Sequence, residues 1–160
     1  MPHTTTKYLG IYLNDHLAGS TGGLELVKRA AGEHDGTELG AFLVALRDEI
    51  AEDRQTLEQI MDELGVTPNP AKQAVAWAAE KAGRLKLNGE LRGSSPLTSL
   101  VELETLSLGI EGKRLLWVAL GEAVPDLVGA ERLAVLMERA EHQREGVEIH
   151  RRRLAARVLA

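Results

Sequence analysis

The sequence predicts an all-α fold: a four-helix bundle wound as two antiparallel helical hairpins, with a long crossover that contains a short extra helix. Three observations predict it. Apolar residues recur on a 3.5-residue rhythm along four long stretches. Helix start and stop signals bracket each stretch. Short turns join the first stretch to the second and the third to the fourth, whereas about thirty residues separate the second from the third, which is one known way to wind such a bundle.

The first helix is expected over 6–31, capped by Thr5 or Thr6 and stopped at Gly32. The second is expected over 36–64; Asp35-Gly-Thr-Glu38 has capping-box spacing and Gly65 follows the end. Asn69-Pro70 opens the crossover helix, expected over 70–83, with Val75 and Trp77 fastening it to the bundle. Arg84 to Arg92 alternates around Asn88-Gly89 and suggests a small hairpin. Ser95-Pro96 starts the third long helix, 96–120, and Pro125-Asp126 the fourth, 126–157, with a bend near Gly129.

At 160 residues the chain suits one domain, 1–160, with a core that needs no staple. There is no cysteine, which excludes disulfides, thiolate metal sites and cysteine nucleophiles. No signal-peptide core or run of membrane-spanning length is present, so the expectation is a cytoplasmic protein without membrane contact. A net charge of −5 offers no general attraction to nucleic acid. Arg151 to Arg157 could grip phosphate, but Glu138, Glu141, Glu145 and Glu148 on the same helix favour intrahelical pairs. Lys81, Arg84 and Lys86 form a mildly basic stretch suited to a protein partner. With five aromatic residues the chain has no obvious stacking platform. Nucleotide-binding glycine loops and nucleophile elbows are absent.

The seam positions themselves carry the functional signal. His16 interrupts the series Leu9, Leu13, His16, Ser20, Leu24, Val27, and Asp53 interrupts Leu39, Leu43, Leu46, Ile50, Asp53, Leu57, Ile60, Leu64. Folding about Gly32 to Gly36 brings His16 and Asp53 together, and the carboxylate would then raise the imidazole pKa. On the third helix the series Leu97, Val101, Glu104, Leu108, Glu111, Leu115, Val118 carries Glu104; folding about 124 and 125 sets it against Arg144 and Glu145, with Glu111 near Glu138. His16, Glu49, Asp53, Glu104 and Glu145 thus form a candidate metal-ligand set at mid-height, with Arg144 as counter-charge. The alternative is a structural network of buried pairs.

This pattern resembles the ferritin-like superfamily, whose members share the long crossover and often hold two irons at mid-height. The resemblance covers nearly the whole chain and rests on architecture. It implies oxidase, hydroxylase or ferroxidase chemistry, but the family's Glu-x-x-His pairs are missing: the second helix has no histidine, Glu138 lies four residues before His142, and Val147 stands three before His150. The expectation is therefore a noncatalytic structural or interaction module with a degenerate metal site and no required cofactor. The competing reading is a metal protein using iron or manganese, and a third is a binder of small apolar ligands. Leu26, Val44 and Leu136 hint at surplus apolar surface and a homodimer. Ala18-Gly-Ser-Thr-Gly-Gly23 inside the first helix suggests tight packing against a neighbour, with a bound ligand as the alternative.

Overall fold

A computed structural model describes the backbone of residues 2–87 and 95–160 and the side chains of residues 7–79 and 95–160. Every regular element in it is helical: α1 (Pro2–Glu33), α2 (Glu38–Glu63), α3 (Pro70–Leu87), α4 (Pro96–Ala123), α5 (Pro125–Val128) and α6 (Ala130–Val158).

Local chemistry explains the boundaries. After α1 the chain turns at Gly36, whose φ of 76° suits a residue without Cβ. The cap of α2 is Thr37, two positions later than the Asp35 box predicts. Its hydroxyl donates to the His34 carbonyl and accepts from the Gly40 N–H at 3.0 Å. Gly40 is obligatory there, because a Cβ would lie 2.0 Å from the His34 oxygen. At the other end Gly65 (φ 66°) closes a Schellman motif: Val66 N–H reaches the Met61 carbonyl at 2.8 Å and Gly65 N–H that of Asp62 at 3.0 Å. Asn69 and Ser95 cap α3 and α4, each followed by a first-turn proline. Gly129, at φ 92°, separates α5 from α6 where the sequence suggests a bend.

The crossover is tied down early. The Asn14 side chain accepts from Asn69 N–H at 2.6 Å and donates to the carbonyls of Thr67 and Gly10. Lys72 pairs with Asp15 and Arg54 bonds Gln73. Helix α3 therefore starts against α1 and α2, while Val75 and Trp77 are 69% and 48% exposed, so neither is buried in the bundle. Its helix runs through the first half of the stretch expected to form a hairpin; the rest of that stretch, with the side chains of Lys81, Arg84 and Lys86, lies outside the described residues.

Helix α1 packs on α2, α3 and α4, and α4 packs on α6. Two apolar clusters form the core. Leu13, Leu17, Leu57, Ile60, Trp117 and Leu133 belong to one, and Val27, Leu43, Leu46, Leu103, Leu106 and Val147 to the other. These memberships show that α1 and α2 run in opposite senses, as do α4 and α6. Leu26 and Leu136 are buried in the clusters, so they offer no surplus surface; of the three residues suggestive of a dimer, only Val44 is exposed. Among the described residues no helix is long and apolar enough to cross a membrane.

On α4 the inward stripe is Ser99, Leu103, Leu106, Ile110, Lys113, Trp117 and Leu120, a regular alternation of four and three residues in which all but the partly exposed Lys113 are buried. Leu97, Leu108 and Leu115 of the expected seam are instead 53%, 75% and 51% exposed. The second turn is also longer than expected. Glu104 bonds Arg151, and Glu111 pairs with Arg144, so that α4 and α6 turn about Leu127 and Val128. The short helix α5 supplies the extra residues.

Candidate functional site: a glycine-walled cavity

Five of the eight glycines inside α1 and α4 are the starting point. Gly19, Gly22 and Gly23 share a face of α1, and Gly109 and Gly112 share one of α4. Interior helical glycine costs about 1 kcal/mol relative to alanine, which close helix contact normally offsets. Here there is no such contact: a Cβ built at any of the five meets nothing within 4 Å. Arg29 on α1 bonds Glu102 on α4 at 2.9 Å. Counting away from that contact in opposite directions places Gly22 level with Gly109 and Gly19 level with Gly112. Both sets of glycines line one cavity of about 720 Å³. The tight packing expected for Gly19 to Gly23 is not what the structure has.

Apolar side chains make the rest of the wall: Leu26 from α1, Ile50 and Leu57 from α2, and Leu106, Ile110, Leu116 and Trp117 from α4. From His16 to Leu26 is ten residues of helix, about 15 Å. The cavity is therefore elongated along α1, and Gly19, Thr105 and Gly109, which line it, are exposed, so it reaches the surface.

Charge is confined to one end. There Asp53 and Lys113 face each other across the molecule, with Lys113 Nζ 2.5 Å from Asp53 Oδ2. Gln143 of α6 completes this layer: its amide nitrogen donates to Asp53 and to Glu49, both at 3.0 Å, and its amide oxygen accepts from Lys113. Arg139 approaches the other Asp53 oxygen at 3.4 Å. Asp53 is 3% exposed, so its charge is tolerated only because cations and an amide surround it. Burial pushes the Lys113 ammonium below the ordinary lysine range, opposed mainly by Asp53. Asp53, Lys113 and Gln143 each occupy the middle of a regular heptad series on their helices. The sequence reading missed Lys113 and Gln143, and a charged residue centred in the 99-to-120 series is the signal that identifies Lys113.

His16 lines the same end of the cavity but does not bond Asp53. It packs edge-on against the Tyr12 ring, centroids 4.6 Å apart, and among the described residues its imidazole has no hydrogen-bond partner. Burial lowers its pKa, outweighing the Asp15 carboxylate; the rise expected from pairing with Asp53 is reversed. The indole N–H of Trp117 is also buried without a partner among the described residues.

The sequence-based ligand set is thus dispersed. Glu49 and Asp53 meet through Gln143, His16 stands apart beside Tyr12, and Glu104 and Glu145 lie on exposed surface. Glu104 is held by Arg151 rather than Arg144. Among the described residues no group of three or more histidine or acidic side chains is placed to hold a metal ion. Elsewhere, His34 bonds the buried Ser99 at 3.0 Å. The chain matches no family model, no curated protein and no solved structure.

Proposed function

We propose that this chain is a noncatalytic binding protein for an elongated apolar small molecule, held between α1, α2 and α4. We further infer that its long helices make a four-helix bundle of two hairpins joined by the α3 crossover, the ferritin-like arrangement expected from connection lengths. One observation carries the functional reading: five interior glycines face empty space rather than a neighbouring helix. Together they represent about 4 kcal/mol of helix propensity forgone with no packing to offset it. A ligand filling the gap would restore that packing. Size supports the same reading, since about 720 Å³ lies within the usual range of small-molecule pockets. A metal centre has less support, because Asp53, the best-buried carboxylate of the candidate set, already has Lys113, Arg139 and Gln143 around it.

The test is titration of the intact protein with Nile red, an uncharged apolar dye, alongside a Gly22→Leu, Gly109→Leu variant that fills the gap. Saturable, blue-shifted fluorescence is expected in the parent, with at least a tenfold loss of affinity in the variant. Absence of saturable binding, or equal binding by a folded variant, would overturn the proposal.

A further inference from the structure

The polar end of the cavity has a property that apolar walls do not explain: every charged residue lining it is already matched within the protein. Asp53 is matched by Lys113 and Arg139, Arg54 by Glu58 at 2.8 Å, and Asp15 by Lys72 at 2.6 Å. An ionic group on a ligand would have to break one of these pairs or sit beside both signs of charge. Asp53 Oδ1 is buried without a hydrogen bond but has the Arg139 guanidinium 3.4 Å away as counter-charge. The lining groups with neither a hydrogen bond nor a counter-charge, among the described residues, are uncharged and include the His16 imidazole and the indole N–H of Trp117. His16, lowered by burial, is neutral near pH 7 and so offers one donor and one acceptor. At the far end, around Leu26, Leu106 and Ile110, the lining is almost wholly apolar.

We infer that the ligand is an uncharged amphiphile, a long apolar body ending in one hydroxyl or carbonyl oxygen, which lies along the glycine faces with its oxygen at His16. This rests on the ligand-binding reading above and specifies its chemistry. His16 acts as a specificity determinant: a chain-terminating hydroxyl can accept from the ring or donate to it, whereas a carboxylate meets Asp53 and Asp15, and an ammonium meets Lys113 and Arg54. The indole N–H of Trp117 stands in the same wall as a second donor for that oxygen.

Displacement of Nile red by 1-dodecanol, dodecanoate and dodecylammonium, each below its aggregation concentration, separates the cases. Dodecanol is expected to displace the dye at concentrations at least tenfold below those of either ion. His16→Leu is expected to weaken dodecanol about tenfold, the loss of one hydrogen bond, once displacement is converted to a Kd with the dye affinity measured for that variant. His16→Gln, which keeps a donor and an acceptor, is expected to retain most of the preference. Equal or tighter binding of dodecanoate would overturn the inference in favour of an anion site at Lys113 or Arg54, and the same result with dodecylammonium would favour a cation site at Asp53. An unchanged dodecanol affinity in folded His16→Leu would remove His16 from the site. Failure of the dye itself to bind the parent protein would instead sink the underlying cavity proposal, and this one with it.

Discussion

Replacing Gly22 and Gly109 by alanine discriminates sharply between a void and a close helix contact. The two residues lie level with each other on α1 and α4, neither has positive φ, and a Cβ on either meets nothing within 4 Å. Alanine therefore gains helix propensity and restricts the unfolded chain without a steric cost. Each substitution should stabilise by about 0.5–1 kcal/mol. For the pair this is about 1.5 kcal/mol, a rise in Tm of roughly 3–6 °C for a chain of this size. The assay is urea unfolding followed by circular dichroism, with a thermal scan as a second readout. Gly40→Ala serves as the opposite control: its Cβ would fall 2.0 Å from the His34 carbonyl oxygen, and a loss of about 2 kcal/mol or more is expected. Destabilisation of Gly22→Ala, Gly109→Ala by 1 kcal/mol or more would mean that α1 and α4 meet at these glycines. The cavity, and every functional statement built on it, would then fail.

Asp53→Leu should cost about 3 kcal/mol by leaving the largely buried Lys113 without its paired carboxylate; adding Lys113→Met should recover much of it, as a double-mutant cycle in urea would report. His16 and His150 both have pKa values lowered from 6.5 by burial, so the unfolded chain binds protons more readily than the folded one as the pH falls through that range. Their contribution to stability is accordingly complete above about pH 6.5 and is lost below it, and urea midpoints should drop between pH 7.5 and 5.5, less steeply in His16→Gln. Gly129→Ala forces a side chain onto a φ of 92° and should cost about 1–3 kcal/mol, measured by thermal unfolding.

Helix existence was legible wherever punctuation was chemical. Asn69, Ser95 and their following prolines cap α3 and α4, and Gly65 ends α2, because capping depends on residues within a few positions. The α2 seam was legible too, since its polar and apolar faces separate cleanly and Leu43, Leu46, Ile50, Asp53, Leu57 and Ile60 are all buried. Helix α4 defeated the same reasoning. Leucines occur on several of its faces, so the 3.5-residue rhythm can be threaded through Leu97, Leu108 and Leu115 as readily as through the true stripe. The choice between them is made by α1 and α6, which lie far away in sequence. The pairing of α4 with α6 then depended on whether Pro125 to Val128 formed a turn or a helix, and that moved Glu104 from Arg144 to Arg151. The cavity was the least legible feature. Glycine in a helix signals close approach more often than open space, and only the spacing between two helices distinguishes them. One pattern was visible without that spacing: Gly19 and Gly22 on α1 repeat the three-residue interval of Gly109 and Gly112 on α4.

The layer of Asp53, Lys113 and Gln143, together with the empty slot beside it, separates the two apolar clusters along the helices. Ile50 and Leu57 on α2, and Ile110 and Leu116 on α4, fall on opposite sides of it. The chain is therefore gripped at both ends and loosest at its waist. Amide protons should exchange slowest in two separate zones, with a faster band between them around Gly19 to Gly23 and Gly109 to Gly112. Transient parting of α1 and α4 at that band would admit a molecule without melting either end. Once inside, the guest would weld the two zones into one cooperative unit, so occupancy would register as slowed exchange across the waist as well as in binding itself.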